Sequence, residues 1–169
     1  MIVRNARPDD AAAIADIYAP VVRDTPISFE EYPPGPGHLK KRMESSIVWL
    51  VAEEGDRVLG YGYARPFHER AAYRWSAEVS IYIAADAQGR GIGRELLTKL
   101  EEELRDRGYV NALAGVTLPN DPSIRLFESF GFESIAVQKK IGYKLGDWHD
   151  VGWWQKQLRP PTVPPPQLI

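Results

Sequence analysis

The feature that most constrains this chain is a short apolar strand running directly into a glycine-rich turn and then a long amphipathic helix. Ser80-Ile81-Tyr82-Ile83 is followed by Ala84 to Ala87, then by Gln88-Gly89-Arg90-Gly91-Ile92-Gly93-Arg94. A helix start leaves backbone N–H groups unpaired and carries partial positive charge, so this arrangement suits a pyrophosphate. The glycines remove Cβ atoms that would keep phosphate oxygens away from those N–H groups. Arg90 and Arg94 lie four residues apart and offer a second, charged contribution. Three readings of the turn can be compared. A Walker loop requires Gly-Lys-Ser/Thr, where this chain has Gly93-Arg94-Glu95. A dinucleotide turn requires Gly-x-Gly-x-x-Gly after the first strand, and both spacing and position differ here. The pattern Gln/Arg-x-x-Gly-x-Gly/Ala fits Gln88, Gly91 and Gly93. A purely structural helix start remains open on the hexapeptide alone.

The rest of the chain supplies the setting. Ile2-Val3-Arg4 predicts a strand, and Asp10 caps a helix with Ile14, Ile17, Tyr18 and Val21 on one face. A short helix near residues 38–46 precedes two strands, 47–53 and 57–64, joined by Glu54-Gly55-Asp56. Residues 75–84 form the next strand. The helix over 90–107 buries Leu96, Leu97, Leu100 and Leu104 and stops at Gly108. A strand at 110–116, a helix at 123–130 led by Asp121-Pro122, and strands at 132–141 and 149–158 complete the chain. The order β-α-α-β-β-β-α-β-α-β-β predicts an α/β (α+β) domain, a mixed sheet with helices on its faces. Eight of the 14 prolines fall at 33–36 and 160–166. Residues 1–158 therefore read as one domain, and 159–169 as a proline-rich tail, extended or disordered, either solvated or a ligand for a partner.

Composition removes whole classes of function. With no cysteine among 169 residues, disulfides, thiolate metal sites and cysteine nucleophiles are excluded. A net charge of −2 is not that of a general nucleic-acid binder. No apolar run approaches the ~20 residues that span a bilayer, and Met1 to Arg4 carries no signal-peptide apolar region. The expectation is a cytoplasmic, soluble protein without nucleic-acid or membrane partners. His38, His68 and His149 are scattered, so no metal is expected. His149-Asp150 has no serine in a Gly-x-Ser-x-Gly turn to complete a triad.

With the glycine turn in place, the chain resembles the GNAT N-acetyltransferase superfamily. Within it, Leu118-Pro119-Asn120-Asp121-Pro122-Ser123-Ile124-Arg125-Leu126 and residues 142–155, Gly142 to Gln155, are similar to the phosphinothricin and methionine sulfoximine N-acetyltransferase branch. The resemblance implies a GNAT fold of about seven strands, splayed between the fourth and fifth. It also implies acetyl-CoA as cosubstrate, held by Ile81, Tyr82 and Ile83 and by Gln88, Gly89, Arg90, Gly91, Ile92, Gly93 and Arg94. Asn120, Ser123 and Phe127 stand at further cofactor positions; turn and capping chemistry is the other reading of Asn120 and Ser123. Glu78 matches the general base, on one strand face with Ser80 and Tyr82 unless a bulge intervenes. Backbone N–H groups near Tyr82, also a catalytic position, and Ile83 would polarise the thioester. Phe29, Arg70, Tyr73, Glu78, Gly115, Val116 and Thr117 stand where the acceptor binds. Arg70 is the expected partner for an acceptor oxyanion, since guanidinium binds such groups bidentately.

One departure bears on the acceptor. The phosphinothricin enzymes carry a histidine where this chain has Phe127, and phenylalanine neither accepts a proton nor hydrogen-bonds. Either Glu78 acts alone through water, or the acceptor is not phosphinothricin. The implied activity is acetyl transfer to a small amino acid or analogue in a ternary complex, by a homodimer with its acceptor loops near the partner. A peptide or protein N-terminal acetyltransferase and a non-catalytic acyl-CoA-binding module are the alternatives.

Overall fold

The computed structural model of the protein describes all 169 residues. In chain order the elements are β1 (Ile2–Asn5), α1 (Ala11–Asp24), α2 (Pro36–Ser45), β2 (Val48–Glu54), β3 (Arg57–Pro66), β4 (Ser76–Ile83), α3 (Ile92–Asp106), β5 (Asn111–Thr117), α4 (Asp121–Ser129), β6 (Glu133–Lys144) and β7 (Asp147–Gln157). They match the expected order. The strands form one seven-stranded sheet, β1-β2-β3-β4-β5-β7-β6, antiparallel everywhere except between β4 and β5. No helix is long and apolar enough to cross a membrane.

Both sheet faces are covered because the central strands are apolar on both sides, as in β2, where Val48 to Ala52 are all buried. On one face α3 lays down Leu96, Leu97, Leu100 and Leu104, all fully buried, against Leu50, Leu59, Val79 and Trp154. On the other, Ile14, Ile17, Tyr18 and Val22 of α1 pack with Leu39 of α2 over Trp49, Val51 and Tyr61. The spacing of these leucines and isoleucines, three and four apart, is what commits each helix to one face.

Two local expectations are corrected. Asp10 precedes α1 but makes no side-chain cap. The Arg4 guanidinium takes its two oxygens at 2.8 and 2.9 Å, and the Arg7 N–H takes one at 2.6 Å. Arg4 also reaches Glu53, so one charged cluster ties β1, β2 and the entry to α1. At α4 the cap is Asn120, one residue earlier than Asp121, accepting the Ser123 N–H at 3.4 Å. Residues 159–169 contain no helix or strand. They lie back on the domain, where the Trp75 indole donates to the Pro166 carbonyl at 2.8 Å and Ile169 N–H to Arg107.

The feature that positions the site is the β4–β5 junction. The two strands pair only over Ser76↔Asn111, Ala77↔Ala112 and Glu78↔Leu113, then part. Beyond this point β4 stays paired to β3 as far as Gly60↔Ile83, and β5 to β7 as far as Thr117↔Val151. The sheet therefore opens between its fourth and fifth strands.

Candidate active site

Backbone register decides what faces the opening. Ser76 O accepts from Phe67 N–H, and Ala84 N–H donates to Leu59 O, so even-numbered residues of β4 direct their backbone groups towards β3. Trp75 O accepts from the Val110 and Asn111 N–H groups on the opposite side. Alternation then turns the N–H groups of Ile81 and Ile83 into the splay, where β5 has already left, while that of Tyr82 faces β3. The β3–β4 register is unbroken, so Glu78, Ser80 and Tyr82 share one face.

At the far end of the opening lies the glycine turn. Gly89 (φ 76°) and Gly91 (φ 80°) are left-handed, and a Cβ at either would meet nothing within 4 Å. Both are glycine for conformation, not for packing room. Gly93 differs: its Cβ would sit 3.2 Å from Leu126, so it serves the approach of α3 to α4. Arg94 and Glu95 donate N–H to the Gly91 carbonyl, while the Ile92 and Gly93 N–H groups meet no acceptor from the protein. A groove of about 430 Å³ opens there, lined by Ile81, Tyr82, Ile83, Gln88, Gly89, Gly91, Gly93, Arg94, Asn120, Ser123 and Phe127. Arg90 and Ile92 are not in its lining. Arg90 turns to Glu54 at 2.9 Å, and the Ile92 side chain is in the core. Arg94 bonds Ser129 and lies over Phe130.

On the other side of the splay is a cavity of about 710 Å³. Its floor is an aromatic and charged sheet surface built by β2, β3 and β4: Trp49, Tyr63, Arg65, Glu78, Ser80 and Tyr82. Trp49 and Tyr63 stack at 4.4 Å, and Tyr61 continues the stack to Tyr82 at 5.3 Å. Burial raises the Tyr82 phenol well above the usual tyrosine range, leaving it a neutral hydroxyl. The α1–α2 connection roofs the cavity with Ile27, Ser28, Phe29 and Glu30. Glu30 accepts from the Tyr18 hydroxyl at 2.5 Å and from Arg42, whose bond is the main influence holding its carboxyl below the usual range. Lys144, from β6, donates to the Val22 and Ser28 carbonyls and so ties this roof down from the far edge of the sheet. A narrow neck of about 50 Å³, lined by Ser80, Tyr82, Thr117, Asn120 and Phe127 among others, lies between cavity and groove and shares Ile27 and Tyr82 with both.

The structure thus brings Phe29, Glu78, Tyr82, Gly115 and Thr117 together in one cavity, with Val116 contributing to the neck. It does not bring Arg70 or Tyr73 there. Arg70 precedes a 3-10 turn over Ala71–Tyr73, its carbonyl accepting the Tyr73 N–H, and Tyr73 packs on His68 at 4.7 Å and on Phe67. Gly115 is glycine because Trp153, its cross-strand neighbour, would lie 2.9 Å from a Cβ. Asn120 both caps α4 and lines groove and neck, so its two readings coexist. Sequence reasoning missed Tyr18, Glu30, Arg42, Trp49, Tyr63, Arg65 and Trp153. A signal existed for one of them: Tyr63 alternates with Tyr61 along the strand, and the two oppose Ser80 and Tyr82 in register.

A splayed parallel strand pair, with a glycine-turned helix start on one side and a carboxylate-bearing cavity on the other, defines an acyltransferase architecture. The acetyltransferase (GNAT) family profile matches residues 13–132, and the chain belongs to that family. The enzyme is an N-acetyltransferase. It is 35% identical over 167 residues to a phosphinothricin N-acetyltransferase of Streptomyces viridochromogenes, covering 97% of this chain and 91% of the relative. An acetyltransferase structure from Salmonella typhimurium, with acetyl-CoA as its cofactor, superposes at a TM-score of 0.90 with 32% identity, covering 94% of each chain. A ribosomal-protein-alanine N-acetyltransferase structure from Brucella melitensis gives 0.90 at 35% identity, covering 93% of this chain and 99% of that one.

Proposed function

We propose that this chain transfers the acetyl group of acetyl-CoA to the amine of a small amino acid or analogue of the phosphinothricin and methionine sulfoximine kind. The observation that carries the reading is the adjacency of the glycine-turn groove and the Glu78 cavity, which share Ile27 and Tyr82 with the neck between them. The Ile92 and Gly93 N–H groups and the α3 dipole hold the pyrophosphate. The Ile81 and Ile83 N–H groups, fixed by the sheet, stand ready for the thioester oxygen as it gains charge. Glu78 takes a proton from the acceptor ammonium, directly or through water, so that a neutral nitrogen attacks the carbonyl carbon. The new C–N bond forms as the C–S bond breaks, and the nitrogen's remaining excess proton goes to the departing thiolate. In this reading the neutral Tyr82 hydroxyl relays that proton. No cysteine is available to carry the acetyl group, so transfer is direct.

The test is CoA release from acetyl-CoA against free amino acids, phosphinothricin, methionine sulfoximine and short peptides. Turnover with the amino-acid group is expected. Release with peptides alone would instead support the second reading, acetylation of a protein N-terminus, which the likeness to the ribosomal-protein-alanine enzyme favours. Release independent of any amine would remove both. A homodimer accompanies the proposal. Ile135, Ile141, Tyr143, Leu145 and Trp148 of the β6–β7 hairpin are each more than half exposed, an apolar surface suited to a second copy, and light scattering tests it.

A further inference from the structure

Arg65 and Glu78 face each other across the β3–β4 pair, and both line the acceptor cavity. Arg65 Nη2 donates to the two carboxylate oxygens at 3.1 and 3.0 Å, and Nε to one of them at 3.2 Å. Nη1 has no partner in the protein. The Glu78 side chain is 16% exposed and that of Arg65 56%, and both line the cavity, so the guanidinium keeps donor capacity there beyond its bonds to Glu78. The other ion pair of the cavity is braced differently. Arg42 engages both oxygens of Glu30 through Nη1 and Nη2, and the Tyr18 hydroxyl adds a third bond to that carboxylate.

An α-amino acid carries its ammonium and carboxylate on one carbon. Its receptor must therefore present an acceptor and a cation side by side, and Arg65–Glu78 is such a pair. Arg70, the cation that sequence comparison suggests, does not line the cavity of this chain. We propose that Arg65 is the receptor for the acceptor's α-carboxylate, which replaces Glu78 on the guanidinium while the acceptor's ammonium takes Glu78. One protein ion pair is exchanged for two protein–substrate pairs, and the same movement turns the Glu78 oxygens to the nitrogen they must deprotonate. An amine lacking the carboxylate leaves Arg65 on Glu78. Arg65 is thus the residue that selects amino acids over simple amines. The inference rests on the N-acetyltransferase reading of the site and adds to it a named selectivity.

The experiment uses the full chain, with acetyl-CoA saturating and CoA release as readout. The acceptors are L-methionine sulfone and 3-(methylsulfonyl)propylamine, the same molecule without its carboxylate. Arg65→Ala should lower the ratio of the two kcat/KM values, amino acid over amine, by about 10- to 100-fold, chiefly through KM for the amino acid. If Arg65 touched no substrate carboxylate, its loss would alter Glu78 equally in both complexes and leave the ratio unchanged. Arg65→Lys keeps the charge without the fork and should lose less. An unchanged ratio in an active, folded Arg65→Ala protein overturns the inference, as does a collapse of the ratio in Arg70→Ala but not in Arg65→Ala. Wild-type protein that releases no CoA with any amine overturns the underlying reading as well, so the two failures are told apart.

Discussion

Glu78 lies at the last paired position before β4 and β5 part, so its side chain stands at the mouth of the opening while its backbone is held on both sides. Replacing its carboxylate by an amide removes proton acceptance without changing size. Glu78→Gln should therefore lower kcat by about 10²–10⁴-fold. Calorimetry should find acetyl-CoA affinity little altered, because Glu78 lines the acceptor cavity and not the groove. Gly91 makes the opposite kind of demand. A methyl group there meets no atom, yet φ is 80°, so Gly91→Ala carries a conformational cost of about 1–2 kcal/mol. It should weaken acetyl-CoA binding in the same titration and leave acceptor selectivity unchanged. The sequence singled out both residues, Glu78 through the family resemblance and Gly91 through the glycine run. It did not single out Arg65, because a strand read as ending at Ala64 leaves the next residue in a loop. Its role appears only once β3 is seen to continue to Pro66 opposite Glu78.

Among the elements, α3 shows the closest correspondence between pattern and packing. Leu96, Leu97, Leu100 and Leu104 recur at helical spacing and all four are fully buried. Leu100→Ala should cost about 2–5 kcal/mol, read from the shift in a urea unfolding midpoint. The N-terminal strand is held by charge instead. Arg4 bonds Asp10 and Glu53, and its bond to Asp10 is the largest influence lowering that carboxyl below the usual aspartate range. A folded value below the unfolded one means a contribution present above roughly pH 4 and lost as pH falls through the lowered folded value. Wild type should therefore exceed Asp10→Asn in stability at neutral pH. Denaturant titrations on descending through and below pH 4 should find that margin shrinking. Asp10 reads as a cap in sequence because aspartate before an apolar helix so often is one. Arg4, six residues earlier, competes for the same oxygens, and local preference cannot register that.

At the scale of the molecule, groove, neck and cavity adjoin at the strand splay and share Ile27 and Tyr82, so binding at the glycine turn should brace the fold. Acetyl-CoA at about one hundred times its Kd should add about 2.7 kcal/mol of stability, and with it a rise in Tm of roughly 2–4 °C per kcal/mol. A thermal shift absent at such saturation would count against the groove as its site. Residue order and periodicity alone determined the sequence of elements, the glycine turn, the buried face of α3 and most of that of α1, where Val22 is fully buried and the expected Val21 only partly. Each of these is a local matter of spacing, turn conformation and apolar pattern. The tertiary structure alone decided that Arg90 turns away to Glu54, that Arg70 lies outside the cavity, and that a loop held by Lys144 from another edge of the sheet roofs it. Those outcomes depend on which distant groups arrive within hydrogen-bonding distance, and strand register sets that only after the whole sheet has assembled.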